Sequence, residues 1–131
     1  MKVFVDTSAL YALLDEGDAN HAAAAEVFAR LRGSELVTHA YVLVETLALV
    51  SKRLGWDAVV RLMDGLLGVV AVQPIDATTH FAALNAYRES ASASVSFVDQ
   101  ANFAFMHASR IVGVFAFDAD FTRAGFEVLS A

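Results

Sequence analysis

Lys2-Val3-Phe4-Val5-Asp6-Thr7-Ser8-Ala9-Leu10 is an apolar run that stops at a carboxylate and passes straight into helical spacing. Val3-Phe4-Val5 reads as a short strand buried on both faces, the habit of a parallel sheet covered by helices. In an open α/β sheet, ligand chemistry collects outside the carboxyl ends of the strands. Asp6 stands at such an end and is the first candidate site residue.

Outward from this strand, taken as 2–6, the chain alternates. A helix over 7–15 stops at Asp15-Glu16-Gly17-Asp18. Asp18 is expected to cap a second helix to about Arg32, with Ala22, Ala25, Phe28 and Leu31 on its inner stripe and Gly33 closing it. Residues 35–38 give a second strand. A long, nearly all-apolar helix spans 39–54, with Lys52 and Arg53 in the last turn, where the helix dipole favours cations. Trp56-Asp57 opens a helix to about Leu67, with Val59, Val60, Met63 and Leu67 inward. A strand over 69–73 ends at Pro74. Asp76 caps a helix to about Ser90, with Phe81, Leu84 and Tyr87 as core candidates, and the small polar residues of 90–96 form a loop. Then come a helix over 98–109, a strand over 111–117, a short helix over 121–124 and a strand over 126–129.

Strands alternating with helices predict an α/β fold, a three-layer αβα arrangement around a central parallel sheet. Right-handed crossovers and a reversal of chain direction after the third strand give the order 3-2-1-4-5. The 131 residues fit one domain, 1–131, with no repeat or linker.

Composition narrows the classes. There is no cysteine, which removes disulfides and thiolate metal sites. Lys2 is followed by only three apolar residues before Asp6, unlike a signal peptide, and charges interrupt every apolar run well short of a membrane span. A cytoplasmic protein with no membrane partner is expected. The hydrophobic fraction of 57% leaves apolar surface for a partner or a second copy. A net charge of −6 counts against a nucleic-acid binder; a bound cation would compensate part of it, and the remaining charge still predicts weak nonspecific nucleic-acid affinity.

Four carboxylates stand in surroundings that suit a charge poorly: Asp6 and Asp118 at the ends of apolar strands, Glu45 and Asp99 on largely apolar helices. Each has a plain structural reading. Asp6 and Asp118 can cap helices, Asp99 can complete a capping box with Ser96, and Glu45 can lie on a narrow solvent stripe. Glu45 has no cation three or four residues away, and a buried, unpaired carboxylate is costly, so a metal partner is the expectation. In the order 3-2-1-4-5 the four acids meet at the crevice where that order reverses. Crowded carboxylates repel, and hard oxygen donors select Mg²⁺, with Mn²⁺ as a substitute. Such a site handles phosphate oxygens.

Val-Asp-Thr-Ser-Ala-Leu at 5–10, Val-Glu-Thr-Leu at 44–47, Phe-Val-Asp-Gln-Ala at 97–101 and Phe-Asp-Ala-Asp-Phe at 117–121 resemble, in order, the four acidic motifs of PIN domains. More narrowly the chain resembles the VapC-type toxins of bacterial toxin–antitoxin pairs. The resemblance implies a Mg²⁺-dependent endoribonuclease that acts on RNA, leaves 5′-phosphate and 3′-hydroxyl ends, dimerises, and is blocked by a cognate antitoxin. It matches Asp6, Glu45, Asp99 and Asp118 to the catalytic, metal-holding quartet. Thr7 matches the hydroxyl that supports the first acid, and Asp120 a second acid near the fourth motif. Phe117 departs from the small or polar residue common before the fourth acid.

The remaining residues weigh less. His21, His39, His80 and His107 form no His-Glu-x-x-His pattern and read as helix or surface histidines. A noncatalytic, metal-dependent binding module is the alternative, since Asp6-Thr7-Ser8 begins an Asp-x-Ser-x-Ser pattern, although Leu10 takes the second serine position. A phosphatase with Asp-x-Asp on the first strand is disfavoured by Ser8. A receiver domain is disfavoured by Pro74-Ile75 after the third strand and by having Lys2 and Lys52 as the only lysines.

Overall fold

The computed structural model describes residues 1–130. Five strands, β1 (Lys2–Val5), β2 (Glu35–His39), β3 (Val70–Gln73), β4 (Gly113–Phe115) and β5 (Glu127–Val128), pair in the order β3-β2-β1-β4-β5. Every pairing is parallel. Helices α1 (Thr7–Leu14), α2 (His21–Arg30), α3 (Ala40–Arg53), α4 (Trp56–Asp64), α5 (Ala77–Ser90), α6 (Phe97–Ala108) and α7 (Asp120–Arg123) flank this sheet. The architecture and strand order are those expected from the alternation of elements.

β1 is the hub. Val3, Phe4 and Val5 are fully buried, as a strand covered on both faces must be. Phe4 packs its ring against His39, Phe105 and Phe121, joining β2, α6 and α7 to the centre. A second apolar cluster lies where α1, α3 and α4 meet, built from Leu14, Val50, Ala58, Val59 and Leu62.

The topology places the site. β1 pairs with β4 at Val3↔Gly113, Phe4↔Val114 and Val5↔Phe115, and the Asp6 amide continues the ladder by donating to the Phe115 carbonyl at 3.1 Å. On the other side Phe4 pairs with Val37, and the same register brings His39 beside Asp6. The carboxyl ends of β1, β2 and β4 thus finish at one edge, where the strand order reverses.

Several local expectations change. Asp18 does not cap α2. Its carboxylate accepts from the Asn20 amide at 2.8 Å in a turn before the helix, which starts at His21 with Asn20 as its cap residue. The buried side of α2 is Ala24 and Val27, with Leu31 just past its end, while Ala22 and Ala25 are exposed. In a run of four alanines the phase of the apolar stripe has no sequence signature. α4 stops at Asp64, and Gly65 follows in a conformation where a Cβ would lie 2.6 Å from the Arg61 carbonyl oxygen, so a side chain is excluded there. Leu66–Gly68 then forms a 3-10 turn, and Met63, expected inward, is exposed. Phe81, a core candidate, is exposed too. β4 spans only Gly113–Phe115 of the expected 111–117.

Candidate active site

β1 ends one residue before Asp6, whose backbone stays extended while its side chain caps α1. Asp6 is 5% exposed. Its Oδ2 accepts from the Ser8 amide at 3.1 Å and from the Ser8 hydroxyl at 2.6 Å, and its Oδ1 accepts from Asn102 Nδ2 at 3.3 Å. Burial pushes the Asp6 carboxyl up to about 6; the Ser8 hydrogen bonds oppose that rise, and the negative charges of Asp99 and Glu45 add to it. The Ser8 hydroxyl also accepts from the Phe117 amide at 2.9 Å, tying the β1–α1 turn to the segment after β4. That hydroxyl therefore serves Asp6 and the backbone. The cap reading of Asp6 is correct, and the same carboxylate also faces the other acids.

Thr7 is buried, and its Oγ1 accepts from the Thr46 hydroxyl at 3.1 Å. This bond fixes α3 against α1 and sets the neighbouring Glu45 beside Thr7, in an open hollow that Ala48, Leu49 and Lys52 complete. Glu45 itself is exposed, contrary to the expectation drawn from its apolar neighbours. The helix buries Val42, Thr46 and Val50 and turns Val44, Glu45 and Ala48 outward. Its place in the site rests on lying beside Thr7 and within electrostatic reach of Asp6.

α6 supplies Asp99. Ser96 caps the helix and Asp99 closes a capping box: the Asp99 amide donates to Ser96 Oγ at 3.1 Å, and the Ser96 amide donates to Asp99 Oδ2 at 3.2 Å. Burial pushes the Asp99 carboxyl above its usual range; the Ser96 amide opposes this, and Asp118 and Asp120 push in the same direction as burial. Asp118 follows β4, and its Oδ1 accepts from the Asp120 amide at 2.9 Å, folding the turn into α7. Asp120 pairs with Arg123.

Asp99, Asp118 and Asp120 form the tightest group. Each offers one carboxylate oxygen, and the three lie within 4.8 Å of one another. Oxygen ligands about 2.1 Å from one ion span at most about 4.2 Å, so a small inward turn of these side chains accommodates a divalent cation. Among the described residues the acids of the site have one cationic partner, Arg123 on Asp120. A cluster of hard, mutually repelling oxygens with so little compensation fits a divalent ion. Asp120, read from the sequence as a supporting acid, belongs to this trio, whereas Asp6 and Glu45 flank it.

Asn102 was not among the residues expected at the site, and His39 was expected as a helix or surface histidine. Both are fully buried. Asn102 lies one turn beyond Asp99 on α6 and bridges Asp6 to His39, whose Nε2 meets Asn102 Oδ1 at 2.7 Å. His39 also caps α3, its Nδ1 accepting from the amides of Tyr41 at 3.2 Å and Val42 at 3.4 Å. Burial pushes the imidazole down to about 4, against the opposing hydrogen bond to Asn102. The available signals were an amide one turn after Asp99, set among Ala101, Phe103 and Phe105, and a polar residue at the carboxyl end of a strand.

An acid cluster at the carboxyl edge of a 3-2-1-4-5 parallel sheet defines the class of protein: residues 3–127 match the PIN domain family, and the chain belongs to it. The chain is 36% identical over 125 residues, 95% of each protein, to the 23S rRNA-specific endonuclease VapC20 of Mycobacterium tuberculosis. It superposes on the crystal structure of that VapC20, described as a Sarcin-Ricin loop cleaving toxin, with a TM-score of 0.88 at 34% identity, covering 98% of this chain and 99% of the other. FitAcB from Neisseria gonorrhoeae shares the fold, with a TM-score of 0.70 at 17% identity over 98% of this chain and 96% of that one.

Proposed function

We propose that this chain is a Mg²⁺-dependent endoribonuclease, the toxin of a toxin–antitoxin pair, carried by one domain over 1–131, and that ribosomal RNA is the first substrate to test. The observation that carries this reading is the trio Asp99, Asp118 and Asp120, three carboxylate oxygens within 4.8 Å at the carboxyl edge of the sheet. Membership of a nuclease family and the likeness to a 23S rRNA endonuclease support it.

In this reading Asp99, Asp118 and Asp120 hold the ion, with Asp6 completing the shell from the β1 side. When bound, such an ion polarises a phosphoryl oxygen and offsets charge that develops during in-line displacement. Asp6 is held by Ser8 and Asn102, so the orientation of its carboxylate is fixed before an ion binds. In the same reading Glu45 orients the attacking water and takes its proton, which its solvent-facing position beside Thr7 supports. Thr7 and Thr46 keep that helix face against α1.

Partner surfaces follow from exposed apolar residues. Val44 on α3 and Trp56 on α4 are 67% and 69% exposed, and Met63 adds to the same pair of helices. We assign these exposed residues of α3 and α4 to a homodimer contact or to a cognate antitoxin. Among the described residues no helix is long and apolar enough to cross a membrane.

The test is cleavage of labelled ribosomal RNA by protein freed of copurified inhibitor, with Mg²⁺ or with EDTA, for wild type and Asp99→Asn. Cuts that need the metal and vanish in the variant support the nuclease. Intact RNA with a folded, metal-loaded protein points instead to a binding module, and cleavage that survives both EDTA and the substitution overturns the site.

A further inference from the structure

Asp6, Asn102 and His39 form a chain of side chains whose direction is set at its far end. The amides of Tyr41 and Val42, at the start of α3, both point at His39 Nδ1, which must therefore accept. A neutral imidazole that accepts at Nδ1 carries its proton on Nε2. Nε2 then donates to Asn102 Oδ1 at 2.7 Å, which turns the Asn102 amide nitrogen toward Asp6 Oδ1 at 3.3 Å. No other orientation of Asn102 satisfies both neighbours, because Asp6 and the reversed amide would set acceptor against acceptor.

The far oxygen of Asp6 is held twice by Ser8, while Oδ1 receives only Asn102 and keeps a lone pair open. All three members are at most 5% exposed, so water does not compete for these bonds. The chain also ties three elements at the site: β1, the β2–α3 junction and α6. Buried His–Asn pairs often do no more than satisfy each other. This one ends on the buried carboxylate that flanks the trio, and its polarity is imposed by a helix terminus.

We propose that His39 and Asn102 are positioning residues that orient Asp6 as a metal ligand, with the start of α3 setting the direction of the relay. This rests on the metal-dependent reading of the site. Groups that support metal ligands from behind change affinity by about 10–100-fold when removed.

The test uses direct Mn²⁺ binding, followed by electron paramagnetic resonance, rather than RNA cleavage. His39→Asn keeps a good helix cap for α3 but is too short to reach Asn102. It and Asn102→Ala are each expected to weaken Mn²⁺ binding by about tenfold or more, with far-ultraviolet circular dichroism unchanged. The double variant is expected to bind no more weakly than Asn102→Ala alone, because both act through one path. Ring nitrogen shifts of His39 in the metal-free wild type read the tautomer without any substitution, and a proton on Nε2 is expected. A proton on Nδ1, additive losses in the double variant, or folded single variants with affinity within about twofold of wild type would each overturn the relay. Wild-type protein that binds no Mn²⁺ overturns the metal reading as well, which separates that failure from failure of the relay alone.

Discussion

The two flanks of the acid cluster are built on opposite principles. On the β1 side, Asp6 is 5% exposed and held by hydrogen bonds from Ser8 and Asn102. On the β4–α6 side, Asp99, Asp118 and Asp120 are half-buried, close to one another, and backed mainly by caps and turns. The first flank supplies a fixed geometry at a desolvation cost. The second supplies concentrated charge, which a cation relieves. Both are made of aspartates that follow apolar segments or cap a helix, so their difference lies in what surrounds them.

The largest effect is expected on the charged flank. Asp99→Asn retains an acceptor for the Ser96 amide, so α6 keeps its cap, but the trio loses a charge. RNA cleavage should fall by at least about a hundredfold, or about 2.7 kcal/mol of transition-state stabilisation. A smaller loss than with Asp6→Asn in the same assay would reverse the ranking of the two flanks.

The buried flank is read by pH. The Asp6 pKa is raised to about 6 in the folded state, so between about pH 4 and 6 the folded protein binds the extra proton and acidification stabilises it. His39 works the other way: with its folded pKa lowered to about 4, the unfolded chain binds the extra proton between about pH 6.5 and 4, and acidification destabilises the fold. Each is worth up to about 3 kcal/mol, and in the wild type they largely cancel. Metal-free Asp6→Asn should therefore lose stability relative to wild type as pH falls from 6 to 4, and His39→Asn should gain it. Urea unfolding at a series of pH values checks both signs. Parallel curves for all three proteins would remove the distinction between the flanks.

Ser8→Ala sharpens the comparison from its hinge, because that hydroxyl donates to Asp6 and accepts from the Phe117 amide after β4. The Phe117 amide loses its acceptor and Asp6 Oδ2 keeps only the residue-8 amide, which should cost about 1–3 kcal/mol of stability in denaturant melts. Arg123→Ala is the mildest test. The pair with Asp120 is solvent-exposed on the arginine side, and such pairs contribute about 0.2–1 kcal/mol. Removing the arginine should tighten Mn²⁺ binding by less than about fivefold; weaker binding would mean that Arg123 holds Asp120 in place.

Much of this protein is written locally. An apolar tripeptide ending at Asp6, strands alternating with helices, and Ser96 three residues before Asp99 each follow from spacing alone, and together they lead to a parallel sheet with acids at its reversal point. What tertiary structure decided are facts of direction. α3 carries apolar residues around most of its circumference, outward Val44 and Ala48 included, so hydrophobic period had no phase from which to read that Glu45 faces solvent. Asp120 joined the trio because its amide donates to Asp118 and folds the turn after β4 toward α6. His39 and Asn102 are 63 residues apart in sequence, and no local spacing says that the two meet. Only the parallel register of β1 with β2, and the packing of α6 beside them, brought both within hydrogen-bond reach of the line that ends at Asp6. Side-chain chemistry and local spacing declare which elements form and which residues could react, whereas the meeting of distant side chains depends on how those elements pack.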